Sequence, residues 1–178
     1  MKVAVLLLLL FAASGARSQT SAAGATGPNP EFLNNIYYWS ADSLLALEKT
    51  AGAIKNKRVY FGGGGGMNYV VDGPRAGVRI KAGSNARFAV KLSGMMDPSQ
   101  LIKLYRFDAQ KKTREASASQ GNKNMIDYNV QKSGADVYIL IPTSQLAPGE
   151  YGFQNMMMMN GAGSTNMSYT FFAFGIDQ

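Results

Sequence analysis

Hydrophobic and polar residues alternate along most of the chain after residue 78. In one such run, Phe88, Val90 and Leu92 would share one face of an extended segment, with Arg87 and Lys91 on the other. A period of two is typical of a strand whose sheet is covered on one side. Similar runs between turn-forming residues predict an all-β fold, a single β-sandwich of eight or nine short, mostly antiparallel strands. The charged face of the Arg87 run would suit an edge strand.

The clearest strand pair lies near the end of the chain. Pro148 and Gly149 form a turn signal, from which a strand through Tyr151 and Phe153 would start. Residues 168–176 would fold back beside that strand. The same alternation predicts a core built from nine residues: Phe88, Val90, Leu104, Ile139, Ile141, Tyr151, Phe153, Phe172 and Phe174.

Residues 36–49 have two interpretations. The aromatic run at 36–39 suits a strand, which gives a hairpin with strands over 35–39 and 44–49. Alternatively, Ser40 would cap a helix with the following leucines on its apolar side. Runs this short are not separated by their period, and we expect the hairpin.

Two local predictions concern the middle of the chain. Asp97 would cap a single helical turn that has Pro98 at its first position. Segments 101–108 and 113–119 would then form a hairpin, and Lys111-Lys-Thr-Arg114 would be its basic tip.

The first 18 residues have the pattern of a secretory signal peptide. Met1-Lys2 is a short positive start, residues 3–13 are an unbroken apolar run, and Ala16 and Ser18 have the spacing of a cleavage site. The apolar run is shorter than the about 20 residues of a membrane span. We therefore predict export to the periplasm or the extracellular space, without a transmembrane segment in the mature chain. The predicted organisation is a signal peptide at 1–18, a flexible lead-in at 19–30 and a β-sandwich domain at 31–178.

The charge balance suggests a class of partner. The chain has 18 basic and 11 acidic residues, and removal of Lys2 and Arg17 with the leader leaves a net charge of +5. This charge suits an anionic envelope polymer, although it also serves ordinary solubility. No basic cluster alternates with aromatic residues in a nucleic-acid-binding motif, so we expect no nucleic-acid partner.

The chain contains neither histidine nor cysteine. Their absence removes Ser-His-Asp and Cys-His catalysis, the usual zinc ligands and disulfide bonds. The acidic residues, among them Asp97, Glu115, Asp127 and Glu150, are scattered, and we expect them to be solvated. We therefore predict no catalytic residue, no metal site and no cofactor.

Two unusual runs do not change this interpretation. The five glycines at 62–66 are followed by Met67-Asn68, where a phosphate-binding loop needs Lys and Ser or Thr, so we expect a surface loop. The four methionines at 156–159 could bind Cu(I), but no His or Cys is present to complete a site. We expect them to fill space at a strand end.

The order of several short motifs resembles a set of uncharacterised exported bacterial proteins that have a signal peptide and one β-rich domain. That resemblance implies a β-sandwich and no assigned activity. The motifs are Ile36-Tyr-Tyr with Leu47-Glu-Lys49, Phe88-Ala-Val90, Asp97-Pro-Ser99 with Leu101-Ile-Lys-Leu-Tyr105, Leu146-Ala-Pro-Gly-Glu-Tyr151, and Phe174-Gly-Ile-Asp177.

These observations favour a non-catalytic module that binds an envelope polymer or another envelope protein. The alternative is a carboxylate-dependent hydrolase acting on an envelope glycan, which needs two facing acids about 5–10 Å apart. The residues that we expect on a partner-binding surface are Trp39, Lys55, Lys57, Arg58 and Tyr60.

Overall fold

The computed structural model describes residues 27–41, 43–56, 66–94, 97–119, 121, 123–158 and 168–178. The predicted signal peptide and the predicted site residues Lys57, Arg58 and Tyr60 lie outside these ranges. So do residues 62–65 of the glycine run and Met159 of the methionine run.

The described residues form thirteen strands in chain order: β1 (Ile36–Ser40), β2 (Ser43–Ala46), β3 (Glu48–Asn56), β4 (Met67–Asp72), β5 (Arg79–Lys81), β6 (Arg87–Lys91), β7 (Ile102–Ala109), β8 (Thr113–Ser117), β9 (Met125–Ile126), β10 (Tyr128–Lys132), β11 (Val137–Pro142), β12 (Gly149–Asn155) and β13 (Ser168–Asp177).

The strands make two sheets. The first has five strands in the order β10-β11-β6-β1-β2. In the second, β12-β13-β3-β4-β8-β7 closes into a six-stranded barrel because β7 also pairs with β12. Neighbours are antiparallel except where β5 pairs in parallel with β13. The predicted all-β fold is therefore confirmed, but the strands are more numerous than eight or nine and one sheet closes on itself.

The hairpin interpretation of residues 36–49 is confirmed and the helix interpretation is wrong, but the second strand was predicted to reach residue 49. It ends at Ala46, because Glu48 and Lys49 begin β3 of the other sheet. Trp39 pairs with Leu44, and Tyr37 pairs with Ala46. The other edge of β1 pairs with β6, so both sides of the aromatic strand are hydrogen-bonded. This long-range pairing is what favours the strand over a local helix. It also makes the edge-strand prediction for Arg87 wrong, since β6 lies between β1 and β11.

The main core lies between the five-stranded sheet and one wall of the barrel. Phe88 of β6 packs its ring 4.8 Å from those of both Phe153 and Phe174. Seven of the nine predicted core residues belong to this core. The prediction is wrong for Ile139 and Ile141, because Leu140 is the residue of β11 that faces the barrel and its neighbours face the other way; Ile139 is buried on that outer face and Ile141 is partly buried.

A second core fills the barrel. The Phe171 ring is met edge-on by Tyr69 at 5.3 Å, Phe107 at 5.5 Å and Tyr105 at 6.4 Å between ring centroids. Two glycines make room for these rings. A Cβ atom on Gly52 would lie 2.6 Å from Phe171, and one on Gly152 would lie 2.7 Å from Phe107.

Helical structure is confined to short turns in the described ranges. Helix α1 (Pro98–Leu101) is capped by Asp97, as predicted. The Asp97 side chain accepts a hydrogen bond from the Ser99 amide. Met156–Met158 form a 3-10 turn in which only Met158 packs against the core, so the prediction of an apolar filler holds for that residue alone. No helix in the described part of the chain is long and apolar enough to cross a membrane.

Residues 27–34 run across the outer face of the five-stranded sheet, the face turned away from the barrel. The Ser133 hydroxyl lies against the backbone of Gly27, and the Phe32 amide donates to the Tyr37 hydroxyl. Pro28 and Pro30, which the sequence places in a flexible lead-in, are buried. The segment therefore covers part of this face.

The close approach at Gly52 and Gly152 gives a stability prediction. Gly52→Ala or Gly152→Ala should lower the free energy of unfolding by about 1–3 kcal/mol, because the new methyl group overpacks the ring layer of the barrel. Chemical denaturation measures the change. Gly66→Ala is the control, since a Cβ there meets nothing within 4 Å. Barrel variants as stable as the control would contradict this packing.

Candidate functional site

A buried arginine closes one end of the barrel. Arg114 is 1% exposed and lies on the same face of β8 as Ala116, which belongs to the barrel core. Its Nη2 atom donates to Glu48 Oε1 at 2.9 Å, and Nε donates to the Gly73 carbonyl at 3.1 Å. The predicted basic hairpin tip is therefore wrong for Arg114. Strand alternation turns this residue inward.

A second arginine extends these contacts towards solvent. Arg79 Nη1 donates to Glu150 Oε1 at 2.5 Å, and Arg79 Nη2 donates to Asp177 Oδ1 at 2.6 Å. Arg114 Nη1 lies 3.9 Å from Glu150 Oε2, which is ion-pair distance rather than a hydrogen bond. We call Glu48, Arg79, Arg114, Glu150 and Asp177 the ionic cluster. Glu150, predicted to be solvated, is buried within it.

The ionic cluster holds the segment between β4 and β5 over the barrel end. Glu150 Oε2 accepts the Ala76 amide at 2.7 Å, and Glu48 Oε2 accepts the Gly77 amide. Gly175 lets the Arg79 guanidinium lie against the backbone of β13, since a Cβ there would be 1.7 Å from Arg79 Nη1. The carboxylates thus satisfy backbone donors that would otherwise be left without partners.

The ion pair between Arg79 and Asp177 changes the pKa of both residues. The hydrogen bonds from Arg79 lower the pKa of Asp177, and the same pair raises the pKa of Arg79 although burial opposes it. A lowered carboxyl pKa is the opposite of what a general acid needs. The arrangement of the ionic cluster is that of fixed, paired charges.

A groove of about 600 Å³ opens beside the ionic cluster, and both Asp108 and Glu150 line it. If the protein were a hydrolase with its active site in this groove, two carboxyl groups there would have to be free of other partners. Both oxygens of Glu150 are already engaged, one with Arg79 and one with the Ala76 amide. In the described ranges, no group of three or more acidic side chains is placed to hold a metal ion.

The second candidate region lies on the outer face of the five-stranded sheet. Trp39 of β1 and Arg87 of β6 are directly opposite each other, as are Tyr38 and Phe88. Because successive side chains alternate between faces, Tyr38 and Phe88 point to the core while Trp39 and Arg87 point outward. The Arg87 guanidinium carbon lies 5.5 Å from the centroid of the Trp39 ring, a cation–π contact.

A groove of about 430 Å³ runs beside this pair, and we call it the Trp39 groove. Its lining includes hydroxyl and amide side chains: Ser84, Asn85, Gln131, Thr143, Ser144 and Gln145. Among the apolar lining residues, Trp39, Ile141 and Pro142 are partly exposed, whereas Ile139 and Leu146 are buried. Arg87 is the charged residue of this lining, and none of the described lining residues carries a carboxylate.

The Trp39 groove continues past the Trp39–Arg87 pair. A smaller depression of about 230 Å³ is lined by Tyr38, Ser40 and Ala41, and shares Trp39, Asn85 and Arg87 with the main groove. The two depressions therefore form one elongated surface with the pair at its centre. An elongated open groove suits a chain-like ligand better than a compact one.

Only part of the predicted partner surface can be located. Trp39 lies in the groove, whereas exposed Lys55 lies on β3 in the barrel. The structure brings Trp39 together with Arg87, Asn85 and Gln131. None of these three is among the residues that the sequence predicts for a partner-binding surface. No local signal marks these residues, because strand pairing between distant segments places them together.

Comparisons of the chain with protein-family models, with curated proteins and with solved structures found no significant match. The resemblance to exported bacterial sandwich proteins therefore stays a prediction.

The burial of Arg114 gives a prediction with a matched control. Arg114→Met should lower the free energy of unfolding by about 3–5 kcal/mol, because Glu48 and the Gly73 carbonyl lose a buried partner. Arg75→Met removes an arginine that is 68% exposed and pairs with Asp177 at 3.2 Å, and it should cost less than about 1 kcal/mol. Urea denaturation compares the two, and equal losses would refute a special role for Arg114.

The lowered pKa of Asp177 predicts how the stability of its pairing depends on pH. The pKa of Asp177 is lower in the folded protein than the unfolded-state value of about 3.9. Its ion pair therefore stabilises the fold fully above that unfolded pKa, and this stabilisation is lost as the pH falls through the folded-state pKa. Asp177→Asn should therefore destabilise the protein near neutral pH, and the difference should shrink below about pH 4. Denaturation midpoints across pH measure it, with exposed Asp136→Asn as control. A difference that persists in acid would contradict the linkage.

Proposed function

We propose that this protein is an exported, non-catalytic β-sandwich module that binds a polysaccharide of the periplasm or the extracellular space along the Trp39 groove. The observation that carries the proposal is the combination of Trp39 with apolar and amide side chains along one elongated open groove. The leader-like residues 1–18 are the reason to place the ligand outside the cytoplasm.

The lining has the two properties that a sugar chain requires. Sugar rings present apolar C–H faces, and Trp39, Ile141 and Pro142 offer apolar surface to them. Sugar hydroxyls are both donors and acceptors, and the amides of Asn85 and Gln131 offer both kinds of group.

The hydrolase alternative has weaker support. It needs two facing carboxyl groups, and the Trp39 groove has none among its described lining residues. In the groove beside the ionic cluster, Glu150 is engaged by Arg79 and the Ala76 amide. We therefore favour binding without turnover.

The sole tryptophan of the chain makes the proposal directly testable. Titration of the mature protein with soluble polysaccharides should give a saturable change in fluorescence, because any ligand in the groove alters the surroundings of Trp39. In a retention assay on immobilised polysaccharide, Trp39→Ala should weaken binding at least tenfold, a loss of about 1.4 kcal/mol.

Met67→Ala is the matched control for this test. Met67 is an exposed apolar residue on β4 of the barrel, and its removal should leave retention unchanged. The proposal fails if no polysaccharide changes the fluorescence or is retained, or if Trp39→Ala binds as the wild type does. Cleavage of a retained polysaccharide would instead support the hydrolase, and capture of a protein through the same groove would support a protein partner.

A further inference from the structure

We infer that the ligand of the Trp39 groove is an acidic saccharide, a sugar chain whose carboxylate or sulfate group is bound by Arg87. The inference rests on the proposed function and specifies its ligand class. Three features of Arg87 carry it: no carboxylate among the described residues pairs with it, the Trp39 ring limits its orientation, and its described surroundings are neutral.

Arg87 differs from the arginines of the ionic cluster in its partners. Arg79 and Arg114 each donate to a carboxylate, and Arg75 pairs with Asp177. Among the described residues, no carboxylate forms an ion pair with Arg87. A guanidinium has five N–H donors in a planar fork that matches a carboxylate or a sulfate-like oxyanion. No described carboxylate therefore competes with an anion from outside for the donors of Arg87.

The Trp39 ring holds this guanidinium in position. Arg87 lies over the ring at 5.5 Å, and both residues belong to inner strands of the sheet, β1 and β6. A cation–π contact limits the side chain to a few orientations while leaving its edge free for hydrogen bonds. Binding an anion here costs less ordering than binding one to a freely rotating lysine.

The surroundings of Arg87 select an anionic ligand with hydroxyl groups. The described groove lining has no acid to repel the anion, and Arg87 is its one charged residue. Asn85 lines both the main groove and the smaller depression, and Gln131 and Gln145 line the main groove. A neutral sugar could accept hydrogen bonds from the guanidinium but would not balance its charge, whereas an inorganic anion would leave the apolar surface and the amides unused.

The experiment compares three soluble polymers by the fluorescence of Trp39. Polygalacturonate carries a carboxylate on each sugar, its fully methyl-esterified form has the same backbone without charge, and dextran sulfate carries sulfate. We expect at least one charged polymer to bind about tenfold or more tightly than the methyl ester. Preference for polygalacturonate assigns a carboxylate as the anion, and preference for dextran sulfate assigns a sulfate.

Charge-matched variants separate a specific site from general attraction to a basic protein. Arg87→Ala should weaken binding of the preferred charged polymer about ten- to a hundredfold, the range expected for lost charge-assisted hydrogen bonds. Lys55→Ala removes the same charge from an exposed position on the barrel and should change affinity less than about threefold. Arg87→Lys, which keeps the charge without the fork, should lie between them.

The outcomes distinguish this inference from the proposed function. Equal losses in Arg87→Ala and Lys55→Ala, or equal binding of the methyl ester, would overturn the acidic ligand while leaving a polysaccharide site in place. Absence of binding by all three polymers and by the neutral polysaccharides of the preceding test would remove both. If Arg87→Ala has a lower thermal midpoint than wild type, Arg87→Gln, which keeps a long polar side chain, replaces it.

Discussion

The burial of Arg114 is the constraint on which one end of the barrel depends. A guanidinium that is almost completely removed from water must be neutralised and hydrogen-bonded, since an unpaired buried charge costs several kcal/mol. Glu48 supplies the counter-charge, and Glu150 connects Arg114 to Arg79 and so to the surface. These contacts join β3, β5, β8, β12 and β13, strands that local turns alone would leave independent. The segment between β4 and β5 is fixed by the same carboxylates.

The rest of the barrel depends on steric fit rather than charge. Phe171 packs in its interior, and Gly52 allows the ring to lie against the neighbouring strand β3. Outside the barrel, Phe88 packs between Phe153 and Phe174 and attaches the five-stranded sheet to the barrel wall. The two cores share strand β13, whose successive side chains alternate between them. This explains why β13 is apolar on both faces and almost wholly buried.

The division of the fold into a barrel and an open sheet leaves one face for binding. The inner face of the open sheet is used by the core, and residues 27–34 cover part of its outer face. The Trp39 groove lies on the same outer face, at the end of β6 where Arg87 stands opposite Trp39. The arginines of the ionic cluster are paired with carboxylates, whereas Arg87 has no carboxylate partner among the described residues. This contrast supports the acidic ligand that we infer for the Trp39 groove.

The sequence by itself determined the all-β class, the hairpin of β1 and β2, the Asp97 cap and the pairing of β12 with β13. These features depend on alternation and on turn residues that are close together in the chain. Only the tertiary structure decided that a sheet closes into a barrel, because closure depends on the pairing of β7 with β12, more than forty residues apart.

The same distinction applies to the candidate site. Trp39 is recognisable in the sequence as the sole tryptophan, but its position opposite Arg87 is not. The strand order placed Arg87 beside Trp39, and it brought Glu48 within reach of Arg114, which strand alternation turns inward. A period-2 pattern states which residues share a face, but it does not state which strands are neighbours or whether a charge on that face meets solvent or another charge. Those two facts were decided by non-local pairing, and the candidate chemistry of this protein depends on them.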